Sequence, residues 1–317
     1  MAKPPVRLWT SLCHQLASTQ IDRTQLAPRL RLRDLVSMRI VSLGALLIFI
    51  ASAGRSVAVD SNLKSEEIYL AWLQMYDLKF EEAHQTLKRW QEAHPDDSLG
   101  PASDAAAYLF SELNRLGSLE AELFVDDNRF KNRKTLDPDA QAKAFFSERV
   151  DQADRLAEST LEKSNADARA LFVKTLTHGL RADYVALIDG HGLKALSYTK
   201  SARVYADRLL AANPQAFDAY LGPGVENYLL SLKPIALRLL LRLTGSQVDR
   251  ETGLDKLRKT ASQGYYLEPF AKLLLAVAAL RDNNQEQVRS ILRGLRDRFP
   301  DNELYSRELD RLTVEAR

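Results

Sequence analysis

The residues best suited to chemistry in this chain are five histidines and a few isolated carboxylates. The histidines stand at positions 14, 84, 94, 178 and 191, and no pair has the helical spacing with a nearby acid that zinc sites use. His84 and His94 are ten residues apart, nearly three helical turns, which is too far for shared ligation. We therefore predict no metal ligand and no cofactor-binding residue.

Carboxylates could provide acid–base chemistry at two places. Asp126 and Asp127 stand side by side, although Asp-Asp-Asn in a loop more often forms a turn or caps a helix. Glu226 lies in an otherwise apolar segment, where a buried carboxylate needs a partner such as Arg181 or Lys233. We expect a structural ion pair there. The sequence also lacks a phosphate loop, a nucleophile elbow and a Cys–His pairing, so we predict no catalytic residue and no enzyme.

Composition predicts that helices position these residues. Hydrophobic residues make up 45% and charged residues 27% of the 317 positions, which is typical of a globular protein. Only 13 Gly and 11 Pro are present, too few for many hairpins and short strands. Leu, Ala, Glu, Arg and Lys dominate, and these side chains lose little entropy in a helix. The fold class that follows is all-α.

Charge is divided unevenly along the chain. Of the 44 basic and 42 acidic residues, residues 1–58 hold eight basic and two acidic ones, which leaves 36 basic and 40 acidic in residues 59–317. The larger part is therefore slightly acidic, without the pervasive positive field that nucleic acid requires. We exclude nucleic acid as a partner.

An apolar segment near the start indicates export. Residues Ile40–Ala53 carry no charge, follow Met38 and Arg39, and are followed by small residues suited to signal peptidase. We therefore interpret residues 38–58 as a signal peptide and residues 59–317 as one mature domain. Residues 1–37 are either a misassigned start or a disordered tail. Because fourteen residues are short for a bilayer span, an uncleaved signal anchor is the alternative rather than the expectation.

Cysteine usage agrees with a soluble exported product. The only cysteine is Cys13, so residues 59–317 can form neither a disulfide nor a thiolate metal site. No cysteine follows the apolar segment, which removes the usual lipoprotein anchor. We expect a bacterial protein located in the periplasm.

Helical hairpins are the main organising pattern. Ala71 and Ala83 are small residues twelve positions apart, and each would allow two antiparallel helices to cross closely. Phe80 would fill the wedge at the turn, and Pro95 would end the second helix. The same offsets return at the C-terminus in Ala276, Val288 and Pro300, with weaker copies around Ala153–Asn165 and Ala202–Pro214.

This spacing resembles the tetratricopeptide repeat (TPR), which has a period of 34 residues. The resemblance implies a right-handed α-solenoid of TPR-like hairpins. Because the prolines do not recur at multiples of that period, irregular insertions must separate the units, and we predict them at Leu119–Pro138 and Tyr184–Lys194. The helix predicted at Asn302–Leu312 would cap the stack.

A second resemblance covers residues 216–280. Gly224–Leu230 leads into Ser231-Leu232-Lys233-Pro234, and Gly245-Ser246 is followed by Asp249-Arg250-Glu251-Thr252-Gly253-Leu254. This order resembles the tetratricopeptide-repeat-39 and inclusion-body-clearance family of eukaryotes. The resemblance implies a helical repeat fold and association with proteins or lipid material, and it transfers no catalytic residue. The rest of the chain departs from that family, whose members are intracellular.

Within that region, Ile235–Leu243 has two interpretations. Arg238 and Arg242 lie four residues apart on one helical face, and leucines cover most of the rest. A core helix whose arginines extend to water is the expected interpretation. The alternative is a helix that lies on an anionic membrane, with Arg238 and Arg242 in peripheral contact.

The predicted function is a non-enzymatic scaffold that binds a protein or peptide partner in the bacterial envelope. Candidate anchors are aromatic residues that could line a groove of stacked hairpins, although each could equally belong to the core: Tyr108, Phe110, Tyr184 and Tyr220. The alternative is a lipid-binding or small-molecule-binding subunit attached to an envelope transport system.

Overall fold

The computed structural model describes residues 63–117, 137–243 and 245–314. These residues form twelve α-helices and no β-strand, which confirms the predicted all-α class. The predicted tail, the signal segment, Asp126, Asp127 and nearly all of the first insertion lie outside the described residues. The helices are α1 Glu66–Tyr76, α2 Phe80–Ala93, α3 Leu99–Arg115, α4 Ala140–Lys163, α5 Ala168–Asp183, α6 Gly192–Ala212, α7 Leu221–Ser231, α8 Ile235–Leu243, α9 Arg250–Gln263, α10 Glu268–Arg281, α11 Gln285–Arg298 and α12 Glu303–Val314.

The first hairpin, α1–α2, is built as the alanine spacing predicts. Ala71 and Ala83 are completely buried where the two helices pack together. The side chain of Ser65 accepts a hydrogen bond from the Ile68 N–H and so caps α1. Leu78 closes the turn with φ of 62°, in the left-handed region.

The last hairpin, α10–α11, repeats that geometry 205 residues later. Ala276 and Val288 are completely buried, and Asn283 has φ of 56° at the position equivalent to Leu78. The loops that follow the two hairpins also correspond. Asp97 accepts a hydrogen bond from the Leu99 N–H, and Asn302 accepts one from the Leu304 N–H.

Four loops share one backbone arrangement in which the N–H of the fourth residue donates to the carbonyl of the first. They are 94–97, 164–167, 213–216 and 299–302. A buried small residue precedes each loop at the predicted offset: Ala83, Ala153, Ala202 and Val288. Around Ala153 and Ala202, consecutive helices pack together as well, α3 against α4 and α5 against α6.

The segment predicted as the second insertion, Tyr184–Lys194, is mostly helical. Tyr184–Ile188 continues α5 as a π-helical turn, and only residues 189–191 separate that turn from α6, with Gly190 at φ of 72°. A π-turn absorbs an extra residue without ending the helix, so α5 continues to Ile188 before the chain reverses and α6 packs back against it. The predicted closing helix is confirmed as α12.

Helix α1 contacts the C-terminal helices as well as its neighbours in sequence. Tyr76 donates from its hydroxyl to the Tyr266 carbonyl, and its own carbonyl accepts from the Asn302 side chain at 2.7 Å. Arg298 donates to the hydroxyl of Tyr69 at 2.8 Å, and Lys79 pairs with Asp301 at 2.6 Å. These contacts add to the nearest-neighbour packing that defines a helical repeat stack. Among the described helices, none is both long and apolar enough to pass through a bilayer.

Candidate binding surfaces

An aromatic row, defined here as His84, Tyr108 and Phe145, crosses α2, α3 and α4. The ring centroids of His84 and Tyr108 are 4.1 Å apart, and those of Tyr108 and Phe145 are 5.3 Å apart in a stacked arrangement. Tyr108 is half-buried, whereas Phe145 remains 37% exposed. The row therefore presents an aromatic edge to solvent from a base that is fixed in the domain.

A buried carboxylate holds the base of this row. Asp104 accepts from His84 at 2.6 Å and lies 3.0 Å from the Arg149 Nε atom, and the Gln91 amide donates to it at 3.4 Å. Burial, followed by the charge of Asp104, raises the pKa of the Tyr108 hydroxyl. The network orients the imidazole and through it the tyrosine ring. The sequence does not reveal this network, because its members come from three different helices.

The other predicted aromatic anchors lie apart from the row. Phe110 packs between Trp72 and Phe270, at ring distances of 6.2 and 6.0 Å. Tyr184 is buried and stacks on Phe146 at 4.8 Å. For these two residues the core interpretation holds.

Tyr220 is half-buried at the end of the short 3₁₀ turn Phe217–Tyr220. Its hydroxyl donates to the Pro214 carbonyl at 3.2 Å, and the Lys259 ammonium lies 5.2 Å from its ring centroid. Tyr220 also stacks on the half-buried Phe217 at 6.4 Å. Of the four predicted anchors, only Tyr108 contacts an exposed aromatic ring, that of Phe145.

Helix α8 corrects the core interpretation of Ile235–Leu243, because none of its residues is buried. Ile235 and Leu243 are 68% and 85% exposed, and Leu239 and Leu240 are more than half exposed. Arg238 is instead half-buried on the opposite side, and the Arg242 guanidinium donates to the Val248 carbonyl at 2.7 Å. The helix thus exposes most of its leucines to water, together with Arg242.

A buried polar cluster holds the loop that follows α8. Arg203 of α6 donates to the Gly245 carbonyl at 2.8 Å, and the Gln247 N–H donates to the Glu226 carboxylate at 3.3 Å. The side chain of Gln247 also accepts from Asn227 and Lys256, at 2.8 and 3.1 Å. The C-terminal end of α8 is thereby attached to α6, α7 and α9.

Glu226 forms an ion pair, as predicted, but its partner is neither Arg181 nor Lys233. Its carboxylate lies 3.4 Å from the Arg203 guanidinium, whereas Arg181 pairs with Asp154 and Asp151 instead. Burial raises the pKa of Glu226, and the charge of Arg203 opposes that shift. The pair is structural, since it secures the loop after α8.

A pocket of about 190 Å³ lies where the start of the described chain meets the loop between α9 and α10. Aromatic rings line much of it, and its carboxylate is Asp218. That carboxylate accepts hydrogen bonds from the N–H groups of Tyr265, Tyr266 and Leu267, which opposes the rise in its pKa caused by burial. Asp218 is therefore committed to capping α10 rather than to holding a ligand.

Metal-ligating side chains do not gather anywhere in the described ranges, where no group of three or more His, Cys, Asp or Glu could hold an ion. His178 stacks on Tyr205 at 5.5 Å, and burial lowers its pKa. No protein-family model matches the chain, and no curated protein matches it.

Proposed function

We propose that this protein is a non-enzymatic helical-repeat scaffold that binds a protein or peptide partner through the aromatic row. The supporting observation is the series of ring contacts from His84 through Tyr108 to the exposed Phe145, with His84 hydrogen-bonded to the buried Asp104. Aromatic side chains that are fixed before binding lose little entropy on association and often dominate the binding energy of protein interfaces.

We also propose that the hairpins form a right-handed TPR-like α-solenoid whose first and last units contact each other. The support is the equivalence of the α1–α2 and α10–α11 hairpins, including their left-handed turn residues. The apolar segment at residues 40–53 supports export to the periplasm. N-terminal sequencing of the protein from a periplasmic fraction tests the signal: a start between residues 50 and 60 is expected, and an intact segment in a membrane fraction contradicts cleavage.

Site-specific photocrosslinking tests the aromatic row and captures whichever partner occupies it. With Phe145→benzoylphenylalanine in the full chain, illumination of cells should yield one discrete adduct of higher mass. Val204 provides the matched control, because it is also exposed but lies on α6. The same photoreactive residue there should give no such adduct. Absence of an adduct at position 145, or an identical adduct at both positions, contradicts the proposal.

Affinity measurements on the crosslinked partner then test the energetic role of Tyr108. Tyr108→Ala should weaken binding by about tenfold or more, as expected for an aromatic side chain at the centre of an interface. Circular dichroism should show unchanged helix content, so that loss of folding does not imitate loss of binding. An unchanged affinity would exclude the row as the binding surface.

A further inference from the structure

Exposed apolar side chains concentrate in one short stretch of this protein. Of the ten large hydrophobic residues exposed in the described parts of the chain, seven lie between positions 229 and 243. They are Leu229, Leu232, Ile235, Leu237, Leu239, Leu240 and Leu243. A contiguous apolar surface of this kind marks a place where another molecule is bound.

The arrangement on α8 is that of an amphipathic helix with its apolar face directed outward. Ile235, Leu239 and Leu243 recur every four residues and form one exposed line, with Leu240 beside it. Arg238, on the opposite side, is half-buried. No other described helix packs extensively against α8, so none of them covers its outer face.

Charge around this face is of one sign. Residues 227–248 contain no Asp or Glu, and their charged residues are Lys233, Arg238 and Arg242. Lys233 and Arg242 are exposed at the two ends of the apolar line. This local excess of positive charge contrasts with the net acidic balance of residues 59–317, and it is complementary to an anionic surface.

The composition of the face favours lipid over protein. Its exposed side chains are aliphatic, whereas protein interfaces depend on Trp, Tyr and Arg and use Leu less often. Aliphatic chains suit the boundary between lipid headgroups and acyl chains. At 1.5 Å per residue, nine residues extend only about 13 Å, so the helix is too short to cross a bilayer and would lie in its plane.

We propose that α8 attaches this domain to an anionic membrane surface, with its leucine face in the acyl boundary and Lys233 and Arg242 at the headgroups. Pro234 immediately precedes the helix and its carbonyl accepts from the Arg238 N–H, while the Arg203–Gly245 hydrogen bond secures the C-terminal end. The membrane-contacting face is thereby held on the outside of the domain. This surface is separate from the aromatic row, so either proposal can fail without the other.

Fluorescence of a probe on α8 tests this attachment in the full chain, even if residues 40–53 bind membranes independently. In a Cys13→Ser background, Leu239→Cys is labelled with an environment-sensitive dye and mixed with phosphatidylglycerol–phosphatidylcholine vesicles. We expect a blue shift, and quenching by nitroxide-labelled lipid, at position 239. The same dye at Leu70→Cys, an exposed leucine on α1, should remain in water.

Charge dependence provides the second measurement. Lys233→Glu should weaken the response of the position-239 dye to anionic vesicles by about tenfold, whereas Lys88→Glu on α2 should leave it unchanged. A dye at position 239 that stays aqueous while the protein floats with vesicles overturns the proposal. A blue shift that depends on protein concentration and needs no lipid also overturns it, because the face then binds a second copy of the chain.

Discussion

Asp183 is a carboxylate at the C-terminal end of α5, where it meets the π-helical turn. Burial raises its pKa to about 7, because a partly desolvated carboxyl prefers its neutral form. The folded protein therefore holds this proton more strongly than the unfolded chain, whose aspartate titrates near pH 4. The resulting stability is fully present below pH 4 and is lost as the pH rises to 7.

The Asp183→Asn substitution should remove this pH dependence, because an amide keeps the shape of the protonated acid. Between pH 4 and pH 8, the variant should gain about 1 to 3 kcal/mol in unfolding free energy relative to the wild type, after allowance for the partial exposure of the group. Urea unfolding at several pH values measures the difference. Parallel pH profiles for the two proteins would contradict the prediction.

Residue roles were predictable only where the neighbours are close in sequence. The apolar neighbours of Glu226 in the sequence predict that its carboxylate forms an ion pair. The identity of the partner, Arg203, could not be predicted, because it depends on how α6 packs against α7. The network around Asp104 likewise joins residues from α2, α3 and α4. The spacing of residues within one helix does not predict contacts between side chains from different helices.

Helix-level organisation followed from the sequence where small residues mark close contact. Ala71, Ala83 and Ala276 are buried as the hairpin pattern predicts. The orientation of α8 was not predictable in the same way. Its periodicity shows that one face is apolar, but whether another helix covers that face depends on packing elsewhere in the chain.

Enlarging one of the small contact residues should disrupt helix packing. Ala276→Leu adds three carbons where α10 meets α11, and we expect a loss of about 1 to 3 kcal/mol in unfolding free energy. Ala236→Leu on α8 is the matched control, since that alanine is exposed, and it should change stability by less than about 0.5 kcal/mol. Chemical denaturation measures both variants, and equal effects would refute close packing at Ala276.

At the scale of the whole described domain, contacts between the first and last hairpins distinguish this protein from a stack with nearest-neighbour packing alone. The side-chain amide of Asn302 donates a hydrogen bond to the Tyr76 carbonyl at the end of α1. Its side-chain oxygen accepts one from the Leu304 N–H and so caps α12. The spacing of small residues and prolines predicts the two hairpins and the closing helix separately. The contact between the first and last hairpins could not be predicted, because the spacing of a repeat predicts only how units adjacent in sequence pack against each other.

Breaking this contact should loosen α1 selectively. Asn302→Ala leaves the buried Tyr76 carbonyl and the Leu304 N–H without their partner, at a cost of about 2 to 3 kcal/mol. Asn302→Asp keeps the cap acceptor but loses the donor to Tyr76. Amide hydrogen exchange should therefore show faster exchange across residues 66–76 in both variants. Unchanged protection of α1 would show that the contact does not stabilise it.

The bond between Tyr76 and Asn302 also imposes an order on synthesis. Its two residues are 226 positions apart, and a ribosome adding about 5 to 20 residues per second makes the second one roughly 10 to 45 s after the first. During that interval the leading hairpin lacks the contacts that Tyr69 and Tyr76 make with Arg298 and Asn302. The packing that joins the two ends of the domain can therefore form only late in synthesis, after the neighbouring helices along the chain are already available to pack.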